Sequence, residues 1–397
     1  MKTSTLVTQP DQLQELCARL RESVRIAFDT EFVPEYTFAP QLCLIQVATD
    51  ELYAVIDPLA IDDVGPFWQA VMRPGCEIVV HAGKEEMNFC LTHTGQLPKR
   101  VIDIQLAGGM TGLGFPTSYS NLAQRLLNAN PSSGETRTDW RKRPLSPRQV
   151  EYALDDVRYL LPMRDRLCEM LEAKGRVAWF EEETASILEN QLHREDGERW
   201  RRLSGAGSLP SRGLAVLREL VAWRENRARQ MDKPPRWVLR DDLLVELAKR
   251  QPTSLRELQS TRGIGNVGEN RWAKDLIDSI VRGRALPEDE CPKRIHKRET
   301  PDEQMIVKIL SAAMIHLARN HQIAAGLLGS NEDLRQLMDW QAGGESLDNA
   351  PRLASGWRAQ VCGNGLTDLL KGRTAVRIQN IAGSPQLIFD EHANGKP

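Results

Sequence analysis

Residues 24–32 read VRIAFDTEF, and the fold turns on how that stretch is parsed. Val24–Phe28 is an apolar run suited to a buried strand, and two carboxylates, Asp29 and Glu31, follow it directly. Residues two apart on an extended chain share one face, so both acids can reach one cation. Leu42–Ala48, Leu52–Ile56 and Ile78–His81 are further β-branched or apolar runs. Helix-period segments lie between and after them: Asp11–Arg21, Lys84–His93, Asn121–Leu127 and Pro147–Lys174. In the last, Val150, Leu154, Val157, Leu160 and Leu161 recur at the spacing of one buried helix face. Strands alternating with helices predict an α/β domain over a mixed sheet, spanning residues 1–190.

The chain has 397 residues, 41% hydrophobic and 27% charged, enough for two to three domains. That balance excludes a largely disordered, collagen-like or membrane-embedded chain. No apolar stretch approaches the roughly 18 residues that span a bilayer, and the first residues lack the layout of a signal peptide. Seven scattered cysteines without a C-x-x-C pair argue against a disulfide framework or structural zinc. A reducing, cytoplasmic setting fits them best.

Beyond residue 190 the strand signal disappears. Asn190–Arg212 is polar and reads as a linker. Residues 213–284 then give short helices at Leu214–Arg229, Asp241–Lys249, Ser254–Gln259 and Asn270–Val281. Residues 211–284 hold sixteen Lys and Arg against ten Asp and Glu, a net of +6 in a chain whose overall charge is −2. Such asymmetry points to a polyanion, although a helical module carries surplus arginines by chance about as readily. The tryptophans at 179, 200, 223, 237 and 272 fall mostly at core spacing and read as packing. After a break at Leu286–Arg298, residues 301–371 are helical, and Ala375–Ile381 and Gln386–Phe389 suggest a terminal hairpin.

Two further acids complete a constellation. Glu86 lies in HAGKEEMNF (81–89), in the first turn of a helix after a strand; Asp156 lies in EYALDDVRYL (151–160), with Tyr152 one helical turn earlier. Singly, each has a bland reading as a cap, a solvated turn or a surface hydrogen bond. Together, clustered carboxylates repel one another and need protons or a cation, and an all-oxygen donor set suits Mg²⁺ or Mn²⁺. Two such ions activate water and steady the leaving oxygen in phosphodiester hydrolysis.

On these stretches, with PQLCLIQVA (40–48), VVHAGKEE (79–86) and TRTDWRKRPLSPRQVEYALDDVRYLLP (136–162), residues 1–290 resemble the ribonuclease D family. That family belongs to the tyrosine-bearing subclass of the DEDD exonucleases. Residues 210–290 resemble its HRDC domain, a nucleic-acid-binding helical unit, in LxxWRExxA (220–228) and LVELAKRQP (244–252). Residues 300–397 more loosely resemble its second HRDC-like unit, through LASGWR (353–358) and LLKGR (369–373). The resemblance implies a ribonuclease H-like mixed sheet flanked by helices, followed by all-α HRDC-type domains. It implies a 3′→5′ exoribonuclease that releases nucleoside 5′-monophosphates and matures tRNA 3′ ends, acting on RNA with an accessible 3′ end as a monomer. Asp29, Glu31 and Asp156 would hold a metal on the nucleophile side, with Asp29 bridging to a second ion, and Tyr152 would orient the attacking water.

One position departs from the family pattern, which has Asp five residues after the histidine where this chain has Glu86. Glu86 serves with a slightly shifted helix, or the second ion is weakened, or activity is lost; the first is favoured because the other acids and Tyr152 persist. Arg137 and Trp140–Arg143, Arg141 among them, are candidates for the RNA backbone, with packing of Trp140 as the even alternative. Arg262, Gly263 and Gly265 form a turn at a helix start, suited equally to a phosphate or to simply joining helices. His81 reads as a structural hydrogen-bonding group before a metal ligand, and Asp103 as structural or as a distant support of the site. A non-catalytic RNA binder on the same scaffold and a DNA 3′→5′ exonuclease are the competing functions, and a role of the C-terminal region in oligomerisation is a third possibility.

Overall fold

The computed structural model describes residues 3–132, 134, 138–192, 198–264, 272–293, 300–346, 349–380, 382 and 386–391. Six strands, β1 (Thr3–Val7), β2 (Arg25–Val33), β3 (Gln41–Ala48), β4 (Leu52–Ile56), β5 (Glu77–Val80) and β6 (Arg100–Asp103), form one sheet in the order β1-β4-β3-β2-β5-β6. The central pairings β4–β3 and β3–β2 are antiparallel, while β1–β4, β2–β5 and β5–β6 are parallel, which makes the sheet mixed. Its two outermost strands escape a local reading. β1 and β6 are five and four residues long and gain their extended form from a neighbour on one side only.

Helices cover both faces. On one side α1 (Pro10–Glu22), α2 (Gly65–Val71) and α3 (Lys84–Thr94) pack on Ile26, Phe28, Ile45 and Val47. On the other, α4 (Ile104–Thr111), α5 (Tyr119–Leu127), α6 (Pro147–Arg158), α7 (Leu160–Ala173) and α8 (Val177–Leu192) continue the chain, and Ala27, Ala48 and Val79 pack beneath part of them. The single helix expected over Pro147–Lys174 is two, broken at Tyr159, because Pro162 is tolerated only in a first turn and α7 begins at Leu160.

The stretch expected as a linker is partly structured. α8 runs to Leu192, and Trp200, in a 3₁₀ turn at Glu198–Arg202, is buried in the next core. That core is built by α9 (Ser211–Met231), which leads through the short α10 (Pro235–Val238) to α11 (Asp241–Arg250), and by α11, α12 (Leu255–Gln259) and α13 (Ala273–Ala285).

Among the described residues, the C-terminal region shares its core with the exonuclease domain. Val307, Leu310 and Met314 of α14 (Pro301–Asn320), Leu334 of α16 (Asn331–Ala342, after the short α15 at Ala325–Leu328) and Trp357 share one apolar cluster with Ile104, Leu160 and Met163. The LASGWR motif explains much of this union. Glu183 of α8, 4% exposed, accepts from Trp357 Nε1 at 3.1 Å and from Arg352 and Arg358 at 2.8 Å each, while Arg358 also donates to the Leu327 and Leu328 carbonyls. Gly356 sits at φ +54°, where a Cβ would run into the Glu182 carboxylate. The expected hairpin forms as β7 (Thr374–Gln379) paired antiparallel to β8 (Gln386–Glu391). Among the described residues no helix is long and apolar enough to cross a membrane.

Candidate active site

Asp29 and Glu31 lie within β2, not beyond its end, because pairing to β3 continues to Val33. Strand alternation puts them on the face of Ala27, toward α4–α7, while Phe28 enters the opposite core. Pairing slips between Glu31 and Phe32, a bulge of the kind that bends a strand and re-aims its side chains.

α6 crosses β2, β3 and β4 on that face. Its start is fixed by a reciprocal cap between Ser146 and Gln149, with Pro147 in the first turn. The Tyr152 hydroxyl donates to Asp156 one turn later. Tyr152 is also held by Trp140, whose ring lies 6.1 Å away and is buried with Val33, Leu44 and Leu154. The loop before α6 is therefore a packed support. Arg143 grips the buried Asp57 with two bonds of 2.5 and 2.7 Å and donates to the carbonyls of Trp140 and Cys43.

Glu86 arrives from the first turn of α3 and is 5% exposed. Its Oε1 accepts from Thr30 Oγ1 at 2.6 Å, and it feels the charge of Asp29. Glu85 points elsewhere, pairing with Lys84 at 3.1 Å and accepting from Asn88 at 2.8 Å. Asp103 builds the turn that delivers Glu86: it accepts from the Ala82 and Gly83 amides at 3.0 and 3.1 Å while capping α4 through the Gln105 amide at 2.8 Å. Gly83 is required there, since a Cβ would meet Val80 Cγ2 at 2.2 Å. His81 Nε2 lies 3.0 Å from the Thr117 carbonyl, and burial lowers its pKa, so the neutral ring donates there and is a structural group.

The four acids feel one another. Burial first, then the charge of Asp156, pushes Asp29 up to about 7. Burial, then Asp29, Asp156 and Glu86, pushes Glu31 up to about 9. Burial and Asp29 push Glu86 up to about 8, against the Thr30 hydrogen bond; burial and Asp155 push Asp156 up to about 7, against the Tyr152 hydrogen bond. Among the described residues no three acidic, imidazole or thiol side chains are gathered as a formed metal centre. The chemistry of the set nonetheless fits one: its donors are all oxygen, and the protons these acids retain are what a hard divalent cation displaces.

Sequence reasoning passed over two neighbours. Thr30, between the two acids of β2, orients Glu86. Gln46, opposite Asp29 in the ladder, is fully buried with neither amide atom bonded to protein. Only the register, which a single strand does not reveal, brings it there.

The candidate nucleic-acid residues are dispersed. Arg137 and Gly265 lie outside the described residues. Arg141 pairs with Asp139 at 2.8 Å and lies over the Tyr36 ring at 4.1 Å. Arg262 is exposed, beside Gly263 at φ +91°, a left-handed turn that glycine accommodates. Trp237 departs from its expected packing role: it is 61% exposed. It occupies the four-residue α10, too short to build a buried face of its own.

Comparison with known proteins follows the same divisions. Residues 4–172 match a 3′-5′ exonuclease family model, residues 213–280 an HRDC domain, and residues 301–366 the C-terminal HRDC domain of ribonuclease D. Ribonuclease D of Escherichia coli is 33% identical over 92% of this chain and 98% of its own length. That of Zymomonas mobilis is 33% identical over 96% and 97%. The crystal structure of E. coli RNase D, described as an exoribonuclease involved in structured RNA processing, superposes with a TM-score of 0.80 at 32% identity, covering 93% of this chain and 99% of that one. The catalytic core of RRP6 from Trypanosoma brucei shares the fold, with a TM-score of 0.53 at 23% identity over 72% of this chain and 81% of its own. With a mixed-sheet exonuclease fold, two HRDC units and full-length relatives in agreement, the chain belongs to the ribonuclease D family.

Proposed function

We propose that this 3′→5′ exoribonuclease draws its activity from Asp29, Glu31, Glu86, Tyr152 and Asp156, with two divalent cations, Mg²⁺ or Mn²⁺, as cofactors. When bound, such ions activate water and neutralise charge on the leaving oxygen. Asp29, Glu31 and Asp156 would hold one ion, and Asp29 with Glu86 would hold the other. Tyr152 orients the attacking water. Its hydrogen bond to Asp156 fixes the ring for that role. Asp103 and Thr30 set the reach of Glu86.

The observation that carries this reading is the convergence of four acids from β2, α3 and α6, each pushed above its ordinary pKa by burial and by a neighbouring carboxylate. The products would be nucleoside 5′-monophosphates, and the natural substrates tRNA precursors and other stable RNAs with accessible 3′ ends. A cytoplasmic monomer is in keeping with seven free cysteines, six of them buried. The test is product identity. A 3′-labelled RNA incubated with Mn²⁺ should release labelled nucleoside 5′-monophosphate with wild type and none with Asp156→Ala. Release of a 3′-phosphate or of longer fragments would overturn the proposed chemistry.

A further inference from the structure

The chain leaves the acidic site along β2 and, within five residues of Glu31, reaches Tyr36, at most ~17 Å away. There the exonuclease domain meets the first HRDC unit around a cavity of about 710 Å³, lined among others by Pro34, Tyr36, Arg199, Pro235, Arg236 and Trp237. Two aromatic rings stand exposed on its walls, Tyr36 at 44% and Trp237 at 61%, with centroids 6.3 Å apart and edge to face. Cations attend these rings and their neighbour: Arg141 over Tyr36 at 4.1 Å, Lys233 over Trp237 at 5.9 Å and Arg229 over Phe38 at 5.0 Å. The Phe38 amide donates to Asp232 at 3.1 Å and ties the two walls together.

Solvated tryptophan beside tyrosine is poor packing but a good platform for a flat π-face, and nearby cations suit a strand's phosphates. Glu35 and Glu225 also line the cavity, which disfavours a bare phosphate tract there and favours an uncharged base laid on the exposed face of Trp237. We propose that Trp237, braced edge-on by Tyr36, forms a base-stacking clamp at the domain seam, its exposed face holding an unpaired base of single-stranded RNA a few nucleotides upstream of the 3′ end under attack. This rests on the exoribonuclease reading above. The clamp couples the HRDC unit to the active site and sets a minimum length of unpaired 3′ tail for tight binding.

The test uses the full chain carrying Asp156→Ala, so that RNA survives, and fluorescence anisotropy with a 5′-fluorescein single-stranded RNA. Parallel RNAs carry one abasic residue at each position in turn. Adding Trp237→Ala should weaken binding of the intact RNA roughly 5- to 100-fold. One abasic position should weaken the parent by a similar factor and cancel the effect of Trp237→Ala, and Trp237→Phe should recover most of the affinity. Binding within twofold of the parent, or an equal loss for every abasic RNA, would overturn the clamp. Failure of the exoribonuclease reading looks different: the chain with Asp156 intact would then hydrolyse no RNA in Mg²⁺ or Mn²⁺, while the binding comparison would still report on the clamp.

Discussion

Glu86→Asp decides whether the departure from the family pattern is a defect or an adaptation. Shortening the side chain by one methylene withdraws the carboxylate by roughly 1–1.5 Å, while the Thr30 bond that holds it is 2.6 Å long. That bond would open beyond hydrogen-bonding distance, and Thr30, itself buried, would keep an unsatisfied hydroxyl. Leaving such a group costs about 1–3 kcal/mol, and a misplacement near 1 Å in a catalytic site can cost roughly 10²-fold in rate. The backbone gives little compensation, because Asp103 pins the Ala82 and Gly83 amides and Gly83 lies against Val80. We therefore expect kcat/KM on a 5′-labelled single-stranded RNA in Mg²⁺ to fall by roughly 10- to 100-fold, with circular dichroism unchanged. A rate equal to or above wild type would refute the reasoning and mark Glu86 as a strained substitute.

Other consequences can be measured on stability. The folded-state pKa values of Asp29, Glu31, Glu86 and Asp156, about 7, 9, 8 and 7, all lie above the ordinary carboxylate range. Between pH ~4 and ~9 the folded site therefore binds more protons than the unfolded chain, and in EDTA these groups make stability fall as pH rises. Asp156→Asn should flatten that slope in thermal melts; an unchanged slope would contradict the coupling. Glu183→Gln leaves the buried Arg358 guanidinium without its carboxylate, and loss of one partner of a buried pair costs about 3–5 kcal/mol, readable by urea denaturation. A loss under ~1 kcal/mol would show the Glu183–Arg358 pair to be incidental. Removing residues 291–397 strips the cover from Leu160, Met163 and Ile104, so the remainder should lose its near-UV circular dichroism and aggregate. A folded, monomeric fragment would contradict the shared core.

The sequence revealed what local pattern can carry. β2 to β5 announced themselves as apolar runs, and the acids were legible because each sits on an element with its own periodicity. What escaped depended on distant partners. β1 and β6 are extended because a single neighbour pairs with them. Thr30 and Gln46 matter only through α3 and β3. The polar run after residue 190 hid Trp200, whose burial requires the HRDC helices. LASGWR was visible as a motif, but its purpose, binding α8 through Glu183, lies some 170 residues away in sequence. Trp237 was misjudged because spacing reports what a helix face would bury, and α10 is too short to bury it.

On the reading above, these acids, with divalent cations, degrade RNA from the 3′ end. A 5′-labelled RNA hairpin with an unpaired 3′ tail, incubated with wild type and Asp156→Ala in Mg²⁺, Mn²⁺ or EDTA, tests it most directly. A ladder shortening from the 3′ end is expected with wild type in either metal, absent in EDTA and absent in Asp156→Ala. Intact RNA in both metals, with binding still seen by gel shift, would contradict it and make this chain an RNA binder on an exonuclease scaffold.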